Sequence, residues 1–203
     1  MSNIALGVEA ADLILPAPKV PARATLETSL QRRRSTRELL PDALPAETLS
    51  ALLWAAFGVN RPRSGGRTAP SAHNWQEIEV YAVLPEGSYR YDAAAHRLQL
   101  LKAGDLRHLT GTQPFVASAP LNLVYVADFS RMADAAAHER EFLSGVASGC
   151  IIAQNVYLAC AALGLGTVLR GLVDRRSLAH ALGLSPTQRI TLAQSVGQPL
   201  GDH

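Results

Sequence analysis

The stretch Gly145–Leu163 constrains this chain more than any other. It carries Ile151, Ile152, Val156, Leu158 and Ala162 with few charges all round. A helix that is apolar on every face has no stripe to offer water, so it must lie in a core or at a subunit interface. Gly164 and Gly166 end it. The rest of the chain must therefore wrap such a helix, and its composition allows this. The 203 residues are 48% hydrophobic and 18% charged, enough apolar surface to offset chain entropy in one domain or at most two small ones. No window reaches ~18 uninterrupted apolar residues, so no membrane span is expected.

The flanking segments supply the wrapping. Residues 1–24 read as an extended arm, in which Pro16, Pro18 and Pro21 favour polyproline II along a surface. Residues 25–203 read as a single domain. Thr25 starts a helix with Glu27 near its beginning and Arg32–Arg34 near its end, matching the macrodipole. Pro45 opens a second helix with Leu49, Leu52, Leu53, Ala56 and Phe57 as its stripe and Gly58 as its stop. Asn60–Ala69 reads as loop, Ile78–Leu84 as a strand, Tyr89–Tyr91 with Arg97–Leu101 as a hairpin, and Leu121–Ala127 as a buried central strand. Thr167–Gly171, Ser177–Leu182 and Ile190–Val196 follow as strand, helix and strand. Regular βαβ alternation is missing, so the expected class is α+β.

Most catalytic signatures fail. Cys150 and Cys160 are too few for a disulfide scaffold or a four-cysteine zinc site. Ser148 misses the nucleophile-elbow spacing, and His138-Glu139 has no second histidine one turn on. Walker and Rossmann glycine patterns are missing, and no metal site is expected. Met1–Leu15 holds Glu9 and Asp12 and has no basic start, so no signal peptide is read and the cytoplasm is the expected compartment.

Three segments stand out instead. Arg32-Arg33-Arg34-Ser35-Thr36-Arg37 packs four guanidiniums and two hydroxyls into six residues, a donor set matched to a dianionic phosphate. In an extended segment Arg33, Ser35 and Arg37 would face one way. The other readings are a solvated face or a nucleic-acid patch, the latter weakened by a net charge of only +2 and 5% aromatics. Ser71, His73, Asn74 and Gln76 gather donors and acceptors suited to a heterocycle's edge, and Ser71 also suits a helix cap. Glycines flank the short strand Thr167–Arg170, which permits close backbone approach to a flat group, or simply a helix end and a tight turn into a strand.

In this order the segments resemble the FMN-dependent nitroreductase family. Arg33-Arg34-Ser35-Thr36-Arg37 matches its Arg-x-Ser-x-Arg/Lys segment, and Pro70-Ser71-Ala72-His73-Asn74-Trp75-Gln76 its Pro-Ser-x-x-Asn-x-Gln segment. Gln154-Asn155 through Gly164-Leu165-Gly166-Thr167 matches its long helix and Gly-Leu-Gly-Thr. The similarity spans about Leu26 to Pro199. It implies a mixed central sheet flanked by helices in an intertwined homodimer. It further implies that Arg33, Ser35 and Arg37 hold the FMN phosphate, with Arg34 toward the ring or ribityl chain. Ser71, His73 and Asn74 would reach the flavin of the partner subunit. Leu169, Arg170 and Gly171 would lie against the ring, the Gly171 amide near N5, and Gln113 would sit on the flavin or substrate side.

The implied activity is an NAD(P)H oxidoreductase that passes hydride through FMN to a nitroaromatic, quinone or similar acceptor by a ping-pong mechanism. No protein group need be catalytic, because the flavin carries the chemistry. The sequence departs from the family in two places. Gly197–His203 lacks the family's basic residues beyond the last strand, which leaves the phosphate to the N-terminal arginines. Arg170 stands where an apolar residue is common, as a tuner of the flavin or a contact for an anionic substrate. The alternatives are a flavin-dependent dehydrogenase or oxidase of the same fold, and a non-catalytic polyanion-binding module using Arg32–Arg37.

Overall fold

The computed structural model describes residues 11–20 and 24–201. Expectations that fall on Met1–Ala10, Pro21 and Asp202-His203 lie outside the described residues. Seven strands form one sheet in the order β1-β6-β5-β4-β7-β9-β8. They are β1 (Leu13–Ile14), β4 (Ile78–Val83), β5 (Gly87–Asp92), β6 (Arg97–Ala103), β7 (Leu121–Asp128), β8 (Gly166–Arg170) and β9 (Gln188–Gly197); a separate small hairpin holds β2 (Val59–Arg61) and β3 (Gly66–Arg67). The helices are α1 (Leu26–Arg32), α2 (Ala46–Phe57), α3 (Ala137–Val146), α4 (Ala153–Leu163) and α5 (Arg175–Leu182).

The α+β class holds, but the expected mixed sheet does not. Every strand pairing among the described residues is antiparallel. Short connections impose this where β4, β5 and β6 follow one another, since a tight turn can only return the chain antiparallel. β7 lies inside the sheet as expected. Leu121, Leu123, Tyr125 and Ala127 feed the larger core with α2 and α4, while Val124 and Val126 face a smaller core with Leu178 and Leu182 of α5. Both faces of β7 are covered, which is why its sequence is a nearly unbroken apolar run.

The apolar helix is longer than its sequence suggests. α3, a π-helical stretch over Ala147–Ile152, and α4 run together from Ala137 to Leu163. By length and composition this run could cross a membrane. Its apolarity has a nearer cause, because Ile152, Ala153, Val156, Ala159 and Cys160 are buried in the main core. Thr25 caps α1 as read, its Oγ1 accepting from Thr28 N–H at 3.1 Å. The loop expected at Asn60–Ala69 contains the β2–β3 hairpin. The arm is anchored: Leu13 and Ile14 pair with Leu98 and Arg97, and the Pro16 carbonyl accepts from Ser50 Oγ at 2.6 Å.

Candidate functional site

The site begins where α1 ends. Arg33 closes α1 with an extended backbone, and the chain then runs beside β8, the last strand of the sheet. Thr36 N–H donates to the Thr167 carbonyl at 2.8 Å, so this segment covers an otherwise open strand edge. Gly166 permits the approach. A Cβ there would stand 2.8 Å from Leu39 Cδ2 and 3.0 Å from Thr36 Cβ.

Tyr157 of α4 ties these pieces together. Its hydroxyl lies 2.8 Å from Ser35 Oγ and accepts from Leu169 N–H at 2.9 Å, while the Arg33 guanidinium sits 5.4 Å from its ring centroid. Arg33 and Ser35 do face one way, as alternation in an extended segment requires. Arg34 lines a cleft of about 310 Å³ with Arg32, Thr36, Tyr157, Gly164 and Thr167. Arg37 is exposed and borders a shallow hollow with Arg34 and Ser35. None of the four arginines ion-pairs with a carboxylate among the described residues. Four unpaired guanidiniums beside two hydroxyls and a tethered backbone amide suit a phosphate group.

Sequence reasoning missed Tyr157, which is buried in the apolar helix. Its signal was a phenol among aliphatic residues, since a buried hydroxyl needs partners.

The other named residues divide into two groups. Ser71, His73 and Asn74 belong to a segment of unusual backbone: His73, Asn74 and Gln76 have φ of 49°, 55° and 48°. Non-glycine residues in the left-handed region carry strain, and such strain gathers at working sites. Ser71 stands at the N-cap position of the Ala72–Asn74 turn as expected, but its side chain does not cap it; its Oγ accepts from Gln76 N–H at 2.8 Å and closes the segment. His73 and Asn74 are exposed. No hydrogen bond joins this segment to the Arg33–Tyr157 group among the described residues, and His73 and Asn74 do not line the Arg34–Tyr157 cleft.

Arg170 and Gln113 form the second group, on the opposite face of β8 from the core-packed Leu169. Arg170 is 4% exposed. Its Nη1 donates to the Thr110 carbonyl at 2.7 Å and its Nη2 to Asn122 Oδ1 at 3.0 Å. Burial lowers its pKa to about 10, so it stays charged at neutral pH. Gln113 Oε1 is sealed nearby with no partner among the described residues, as is Arg170 Nε. A Cβ at Gly111 would collide with Arg170 Nη1. Neither side chain faces the Arg33 cleft, so toward that cleft Arg170 offers only its backbone. Gly171 is exposed, and a Cβ there would meet Leu192 Cδ2 at an ordinary contact distance of 3.7 Å.

An antiparallel sheet with helices on both faces, and an arginine-rich cleft along its covered edge, defines the class of this protein. The sequence profile of the nitroreductase family matches residues 30–198. MJ1384 of Methanocaldococcus jannaschii, which carries a nitroreductase assignment, is 34% identical over 156 residues, 72% of this chain and 78% of that protein. A Ralstonia eutropha crystal structure with the same assignment superposes with a TM-score of 0.91 at 44% identity, covering 97% of this chain and 93% of that one. A Desulfovibrio desulfuricans nitroreductase structure in complex with FMN shares the fold, with a TM-score of 0.62, 22% identity and 87% of each chain covered. This chain belongs to the nitroreductase family, and it is an oxidoreductase by that membership.

Proposed function

We propose that this chain is an FMN-dependent oxidoreductase that takes hydride from NAD(P)H and delivers it, in a ping-pong cycle, to a nitroaromatic, quinone or similar acceptor. The observation that carries the proposal is the meeting of Ser35 and the Leu169 amide at the Tyr157 hydroxyl, with the Arg33 guanidinium over its ring. Arg33, Ser35 and Arg37 would hold the phosphate, and Arg34 the adjoining part of the nucleotide. The backbone of Leu169–Gly171 would flank the ring. The FMN of the Desulfovibrio relative supports the choice of cofactor.

Bound FMN would supply the hydride chemistry. The chain's own work is to hold and bias it: guanidiniums neutralise the phosphate, and positive charge nearby favours the reduced anionic flavin. Ser71, His73 and Asn74 of a second copy would complete the site. A homodimer also accounts for a groove of about 290 Å³ lined by Leu26, Trp54, Ala55, Leu158 and Ala162, beside Leu26 and Leu30, which are 67% and 54% exposed.

The test is an absorbance spectrum of the purified protein followed by anaerobic NAD(P)H titration. Flavin colour bleached by NAD(P)H is expected. The double variant Arg33→Gln/Ser35→Ala should weaken FMN binding by roughly a hundredfold, the loss of two charge-assisted contacts. A colourless protein that FMN cannot reconstitute would refute the proposal. Steeply salt-dependent binding to nucleic acid without flavin would point to the polyanion-binding module instead.

A further inference from the structure

Strands β4 and β5 separate at one end. Their pairing runs through Val83–Ser88, Ala82–Tyr89 and Tyr81–Arg90, and stops. Leu84 N–H donates to the Gly87 carbonyl at 2.9 Å where the hairpin turns. Hydrogen-bonded rungs recur every second residue in an antiparallel ladder, so Val80 opposite Tyr91 would be the next after Ala82–Tyr89. That pair falls outside the register, which leaves only the Val80 N–H and the Tyr91 carbonyl facing the gap, although β4 continues along β7 to the Ile78–Ala127 pair and β5 along β6 to the Asp92–Arg97 pair. The parted strands enclose a cavity of about 280 Å³, walled by Val80 and Tyr91 and by the arginines Arg67, Arg90 and Arg131.

Charge around this cavity is uneven. Glu79 is fully engaged: it accepts from Arg131 Nη2 at 2.9 Å, Gln188 Nε2 at 2.7 Å and Tyr81 Oη at 3.2 Å, and lies 3.7 Å from Arg90 Nη1. Asp92 is turned to Arg97 Nε at 3.3 Å and to the Ala94 and Ala95 amides. Arg67 has only neutral partners, donating from Nε to Gln76 Oε1 at 2.9 Å and from Nη1 to the Phe57 carbonyl at 3.1 Å. Burial lowers its pKa, against the opposing field of Asp92. Arg131 already pairs with Glu79 and with Asp128 at 3.5 Å, which leaves Arg67 as the half-buried cation with no ion pair among the described residues, beside a gap in the strand pairing that can admit an anion.

We propose that the split between β4 and β5 is a second ligand site, taking a small oxyanion (a carboxylate or phosphate) between Arg67, Arg131 and the backbone N–H of Val80. Its position makes it more than a counterion sink. Arg67 holds the Gln76 side chain, and Arg131 Nη1 donates to the Gln76 carbonyl at 2.7 Å. The same two guanidiniums therefore grip the ligand and the end of the strained Ser71–Gln76 segment. Occupation of the split would tighten that segment.

Thermal unfolding of the full chain is measured against inorganic phosphate and against acetate, each compared with sodium chloride at equal ionic strength. A saturable rise in Tm beyond chloride is expected, and the better of the two anions identifies the ligand's headgroup. Arg67→Met should weaken that response roughly tenfold or more. Arg33→Gln, which alters the other arginine cluster, should leave it in place. Ala94 is exposed and borders the cavity, so Ala94→Glu tests the site without disturbing the core. Its tethered carboxylate should raise Tm in chloride alone and, with Arg33→Gln also present to remove phosphate held at that cluster, abolish the response to phosphate and acetate. No saturable response in the parent chain overturns the proposal, as does a response that survives the Ala94→Glu/Arg33→Gln double variant or vanishes in Arg33→Gln alone. The Ala94→Glu result decides the matter if Arg67→Met fails to fold.

Discussion

Tyr157 shows how much one side chain can join. Its hydroxyl links the arginine segment to the Leu169 amide across the end of α4. Tyr157→Phe keeps the ring under Arg33 but leaves Leu169 N–H without its acceptor. A loss of about 1 kcal/mol in urea unfolding is expected, together with weaker FMN binding because Ser35 loses its anchor. Unchanged FMN affinity would confine Tyr157 to a structural role. Glu77 makes the opposite case. Its carboxylate is wholly buried, neither oxygen has a partner among the described residues, and burial raises its pKa. A carboxyl whose folded pKa lies above its unfolded value favours the fold while protonated, and burdens it once pH passes the folded value. Glu77→Gln should therefore stabilise the protein by on the order of 1 kcal/mol at about pH 8 and by nothing at about pH 4, as read by denaturation at the two pH values. Arg33 and Ser35 were legible in the sequence because clustered cations advertise themselves. Tyr157 was not, because its partners come from residues 122 and 12 positions away.

At the scale of elements, local patterns succeeded where burial followed sequence periodicity. The Thr25 cap, the α2 stripe and the buried β7 all appear as read. The failures have physical causes. β1 is two residues long and exists only because β6 offers it an edge. The charged first half of the long helix, which holds Glu139, Arg140 and Glu141, lacks the apolarity that marks its second half. The Arg170 side chain is buried away from the cleft because a strand alternates its faces: its neighbour Leu169 turns to the core with α4, and Arg170 turns the other way to clamp the Arg107–Thr110 turn. Arg170→Met should therefore destabilise the chain by about 2–4 kcal/mol, since Thr110 and Asn122 lose a charged donor. Limited proteolysis should find the 107–116 stretch cut faster. A variant of native stability and unchanged cutting would show that this clamp contributes little.

At the scale of the molecule, the two halves of the proposed flavin site share no hydrogen bond and no cleft among the described residues of one chain. The Ser71–Asn74 segment has a strained backbone and exposed side chains, yet among the described residues the His73 and Asn74 side chains engage only Trp75 and Gln76. Sedimentation equilibrium should report a dimer. Leu30→Glu, placed on the exposed face of α1, should shift it toward monomer and weaken FMN binding in parallel. A monomer that binds FMN fully would show the site complete in one chain.

The sequence by itself determined the family, the α+β class, the buried helix and the arginine segment, because each is written in residues close together along the chain. Tertiary structure alone decided the rest: the all-antiparallel pairing, the role of Tyr157, the turning away of Arg170 and the split between β4 and β5. Each depends on which distant groups share a face or an edge, and that is fixed only when the sheet closes its pairings and leaves some groups without partners.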